Sequence, residues 1–92
     1  MSIFLMFGKY STDSIKDISA DRTTKANQLI SDHGGSVKSG YALLGETDLV
    51  LIVEFPSVGD AMKASVGLSK LLGIGFTTAP AVSMAEFDQL VG

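Results

Sequence analysis

Two short runs of this chain, Ile3-Phe4-Leu5-Met6-Phe7 and Leu49-Val50-Leu51-Ile52-Val53, are apolar at every position. Apolar runs of this length, bounded by turn residues, read as strands, and side chains along a strand alternate between its two faces. Ile3, Leu5 and Phe7 therefore point one way while Phe4 and Met6 point the other, and Leu49, Leu51 and Val53 oppose Val50 and Ile52. An antiparallel strand with one face in water alternates apolar and polar residues, and these do not. Both faces of any sheet built from them call for cover. A large side chain left in water forgoes about 1.5–3 kcal/mol of burial energy.

The rest of the chain supplies the partners of these strands. Residues 3–10 form the first strand, ending at Gly8-Lys9-Tyr10. Ser11, Thr12 and Asp13 are helix-capping types, and a helical region is expected from about Thr12 to His33, with a break or bend near Ser19. Its inward stripe is Ile18, Arg22, Ala26, Leu29, Ile30 and His33, at helical spacing. Gly34-Gly35 closes it. Residues 36–44 make a weaker second strand containing Lys38, Ser39 and Gly40, and a turn at 45–47 leads to a third strand from Asp48 to Phe55, stopped by Pro56. Ser57 with Asp60 three residues on resembles a capping box for a second helix that runs to about Leu72. The expected buried stripe of that helix is Val58, Ala61, Met62, Ser65, Leu68 and Leu72. A fourth strand over 74–82 carries Pro80, which cannot donate to a ladder and so assigns the strand to a sheet edge. Ser83 and Glu86 then start a short terminal helix with Phe87 and Leu90 available to dock.

The order β-α-β-β-α-β, with right-handed crossovers and a central hairpin, is an α+β fold: the ferredoxin-like sandwich with an antiparallel sheet. In it the first and third strands are central and the second and fourth are edges. Helices cover one face of the sheet. The other face is left to a second sheet, as in a dimeric α+β barrel, and a cavity there is the natural place for a ligand.

Composition points the same way. Residues 1–92 read as one domain, 46% hydrophobic, with no cysteine to form a disulfide or a thiolate metal site. A domain this small with this much apolar surface is expected to self-associate. The net charge is −3 and the seven basic residues are scattered, without the aromatic-laced basic patch of a nucleic-acid binder. The apolar start is too short for a membrane span and lacks the basic lead and cleavage site of a signal peptide, so no membrane partner and a cytoplasmic location are expected.

The segments "SGYALLGETDLVLIVEFPS", "AMKASVGLSKLLGIGFTTAPAV" and "FLMFGKYSTDSIKDISADRTTKA" resemble the GYD family of small bacterial and archaeal proteins over nearly the whole chain. The family signature is a Gly, an aromatic and an Asp at the turn between the second and third strands. Gly45 and Asp48 match it, and Thr47 stands where the aromatic is usual. The family resembles the dimeric α+β barrel superfamily, which includes cofactor-free monooxygenases, isomerases and amino-acid-sensing regulator domains.

Several side chains are candidates for chemistry. Gly45 suits a tight hairpin, and Asp48 suits acceptance of hydrogen bonds from turn amides. Glu46 and Asp48, two apart, would share a face of an ideal strand and present paired carboxylates for acid–base work, although metal binding lacks further ligands. His33, the only histidine, is a candidate base at a helix end, with no Ser or Cys nucleophile identifiable beside it. Arg22 is expected to pair with Asp48, Glu46 or Glu54, or to hold a ligand carboxylate. Tyr10 and Tyr41 would offer hydroxyls to a ligand in an apolar cavity. Lys9 and Lys63 read as solvated heads on buried stems, and Met6 and Met62 as core filler. The leading expectation is a homo-oligomer that binds a small apolar metabolite through Tyr10, Arg22 and Tyr41. The competing ones are a cofactor-free oxygenase or isomerase using His33, Glu46 or Asp48, and a purely structural assembly module. No cofactor is expected in any of them.

Overall fold

The computed structural model describes residues 1–12 and 19–92. Strand β1 (Ser2–Tyr10) leads to helix α1 (Ala20–Asp32), strands β2 (Ser36–Ala42) and β3 (Leu49–Phe55), helix α2 (Val58–Leu72), strand β4 (Ile74–Ala81) and helix α3 (Met84–Val91). The sheet order is β2-β3-β1-β4 with every neighbouring pair antiparallel. This is the expected ferredoxin-like α+β topology, with the two strands that carry the apolar runs in the centre. Asp13 and Ile18 lie outside the described residues.

The helix ends follow from local chemistry. Ser19, Ser57 and Ser83 each adopt extended backbone and accept a hydrogen bond from the N–H three residues on, so each satisfies one of the orphan donors of a first turn. The expected break near Ser19 is thus the N-cap of α1. At its far end Gly34 has φ of 77°, the Gly34 N–H donates to the Ser31 carbonyl and the Gly35 N–H to the Ile30 carbonyl. That bond pair is a Schellman closure. Gly35 is needed for a second reason: a Cβ there would lie 2.5 Å from the Phe55 ring.

The core lies between the helices and one sheet face. Phe4, Met6, Val53 and Phe55 from β1 and β3 are buried against Ile30 of α1 and Ala61, Ala64 and Leu68 of α2. Phe4 and Phe55 meet edge to face, with ring centroids 5.9 Å apart. The opposite sheet face carries Ile3, Leu5, Phe7, Val50 and Ile52, all half-buried and with no described helix over them.

Helix α2 departs from the expected stripe. Ala61, Ala64 and Leu68 are its buried residues, whereas Val58 and Met62 are 56% and 64% exposed. Met62 is therefore not core filler, while Met6 is. The cause is the placement of α2 over β4, an edge strand. The small alanines let the helix approach closely, and the Val58 flank overhangs the rim, where there is no more sheet to cover it. Helix α3 has no buried residue, and Phe87 and Leu90 stay 47% and 71% exposed.

Candidate functional site

The chemistry-bearing residues gather at one end of the sheet, where β1 finishes and β3 begins. The chain enters β3 through a turn in which Gly45 takes φ of 119°, a conformation that a Cβ would disfavour. Asp48 follows it and organises three segments. Its backbone N–H donates to the Gly8 carbonyl at 2.9 Å, and its carbonyl accepts from the Leu43 N–H at 2.8 Å. Its carboxylate Oδ2 accepts from the Tyr10 backbone N–H at 2.8 Å. The amide it satisfies therefore belongs to β1, across the sheet, and the side chain extends the β1–β3 ladder by one bond beyond Gly8 and Leu49.

Glu46 lies in the exposed turn, before the extended backbone begins at Leu49. The period-two rule for a strand does not reach it, so Glu46 and Asp48 do not share a strand face.

Arg22 sits in the first turn of α1 and its Nη2 donates to the Leu72 carbonyl of α2 at 2.8 Å. A cation at the carbonyl end of a helix meets the negative pole of its dipole, so this bond clamps the start of α1 to the end of α2. Of the three acids expected as partners, Asp48 holds the Tyr10 amide and Glu54 lies 3.3 Å from the Lys38 ammonium across the β2–β3 edge.

Between these groups, on the helix-covered side of the sheet, is a cavity of about 120 Å³. Leu49, Leu51, Leu72 and Phe76 line it, and Tyr10 and Arg22 stand at its border. Tyr10 and Arg22 are thus brought together. Tyr41 is not with them: it pairs in register with Val50 on the open face and is 58% exposed. His33 is half-buried at the C-cap of α1, beside Gly34, where an added Cβ would lie 3.2 Å from the Pro56 ring. That is the far end of β3 from Asp48, roughly 20 Å away at 3.3 Å per strand residue. His33 and the two carboxylates therefore do not form one acid–base site. Among the described residues no group of three His, Cys, Asp or Glu side chains could hold a metal ion.

One feature of the surface was not anticipated: the outward stripe Val58, Met62, Val66 on α2, which has Lys63, expected as a solvated head, and Lys70 beside it. A signal for the stripe was present in the sequence, since Val58, Met62 and Val66 recur every four residues.

With this geometry in place, the comparison with known families is decisive. The GYD domain model matches residues 4–91. The chain belongs to the GYD domain family. No curated protein matches it in sequence. Among solved structures, the GYD chain is similar to the Mycobacterium tuberculosis leucine response regulatory protein LrpA, with a TM-score of 0.59 at 11% identity. The match covers 90% of this chain and 51% of LrpA, so the GYD chain spans about half of that protein's length. Identity this low speaks for a shared fold alone. In this GYD domain no described helix is long and apolar enough to cross a membrane.

Proposed function

We propose that this GYD protein is an oligomeric binding module in which two copies pair through their open sheet faces and hold a small, mostly apolar molecule. One observation carries the reading. Ile3, Leu5, Phe7, Val50 and Ile52 form a continuous apolar surface across the two central strands, and no described helix of the same chain lies over it. A second copy presents an identical surface, and a two-fold axis satisfies both at once. Tyr41 stands at the border of that seam, where its hydroxyl would meet the partner or a molecule trapped between the sheets. Tyr10 and Arg22 would serve a separate pocket on the helix side. Its volume of about 120 Å³ suits a ligand of a few heavy atoms.

Native mass spectrometry of the protein purified gently from its own host tests both parts of the proposal. The expected spectrum is a dimer or larger multimer carrying a reproducible small extra mass. A bare multimer would overturn the binding half, and a bare monomer at micromolar concentration would overturn the whole reading.

A further inference from the structure

Besides the open sheet face, the chain leaves two further apolar surfaces exposed, and they match each other. The first is on α3. At 100° per residue, Met84, Phe87, Leu90 and Val91 share one side of the helix, and they are 73%, 47%, 71% and 68% exposed. Asp88 and Glu86 fall on either edge of that stripe. The second is a groove of about 240 Å³ between α2 and β4, lined by Phe4, Val58, Met62, Val66, Thr78 and Pro80. Lys63 and Lys70 border its outer side, where Met62 and Val66 continue into the neighbouring surface. None of the α3 residues lines the groove of its own chain.

We propose that α3 of one copy seats in the α2–β4 groove of a second copy. The lengths agree: Val58 to Val66 and Met84 to Val91 each run about 11–12 Å at 1.5 Å per residue. The apolar sides agree, because an amphipathic helix in an apolar groove buries the stripe that water otherwise meets. The charges agree along one edge: with the stripe seated, one of the two flanking acids lies toward the lysines of α2 and the other toward β4, which sets the direction of the helix in the groove. The free edge of β4 beside the groove carries Pro80, so the partner is received by side chains rather than by an added strand. This seat is distinct from the open sheet face and does not depend on pairing there.

The absence of cysteine makes the test direct. Full-length Met62→Cys and Leu90→Cys proteins are mixed and treated with a short bis-maleimide. The expected result is a mixed cross-linked pair, formed several-fold faster than between Met62→Cys and a control Asp32→Cys protein. Lys63→Glu with Lys70→Glu on the groove partner lowers the rate several-fold, and Glu86→Lys with Asp88→Lys on the helix partner restores it. A rate equal to the control, or one indifferent to the charge swap, would overturn the proposal. So would rapid closure within a single chain carrying both cysteines, because α3 would then be folding back on its own body. Introducing Leu5→Glu on the open sheet face leaves the cross-link in place, and its disappearance would overturn the claim of a separate seat.

Discussion

The two faces of this sheet are made from the same two strands and are almost equally apolar, yet they end in different environments. On one face Phe4, Met6 and Val53 are 2%, 0% and 0% exposed beneath α1 and α2. On the other, Ile3, Leu5, Phe7, Val50 and Ile52 stay half-buried without a helix above them. Hydrophobicity alone does not decide burial within a chain. Two helices suffice for one face of a four-stranded sheet, and the terminal helix, which follows an edge strand, covers neither face. An apolar side chain that its own chain leaves open is a surface for association.

The largest effect expected from this contrast is on the covered face. Phe4→Ala removes a fully buried ring and its edge-to-face partner contact with Phe55, and should cost about 3–5 kcal/mol in denaturant unfolding. A loss below about 1 kcal/mol would mean that the core collapses around the gap. The matching change on the open face, Leu5→Glu, should act through association instead. The variant is expected to sediment as a smaller species than the parent, and its melting temperature should rise less steeply with protein concentration than the parent's. Unchanged sedimentation would remove the distinction between the faces.

A smaller effect is expected where the faces meet at the end of the sheet. Asp48→Ala leaves the part-buried Tyr10 N–H without its acceptor and should cost about 1–2 kcal/mol. An unchanged melting temperature would mean that water replaces the carboxylate freely. The smallest effect belongs to the solvent side of α1. Lys25 lies 3.2 Å from Asp21 with both side chains more than half exposed, so Lys25→Ala should change stability by about 0.5 kcal/mol or less. A larger loss would point to cover on that helix face.

Most of the architecture was legible in the sequence because it depends on neighbours along the chain. The serines at 19, 57 and 83, the glycines at 34 and 73 and the proline at 80 each act within a few residues of themselves. The apolar runs at 3–7 and 49–53 identify the central strands without reference to the rest. The family turn was legible for the same reason, although the bond that Asp48 makes was not. Its carboxylate reaches Tyr10, 38 residues away, and Arg22 reaches the Leu72 carbonyl, 50 residues away. Periodicity also misread α2, because helical spacing reports which residues share a side and not where the sheet beneath the helix stops. Local patterns along the chain thus determined the elements, their ends and the two-sided apolar strands. Only the tertiary packing decided that Val58 and Met62 overhang an edge strand, that Tyr10 and Tyr41 lie on opposite faces, and that His33 is a sheet's length from Asp48. Those placements depend on how helices and strands that are distant in sequence stack, and no short window of residues encodes that.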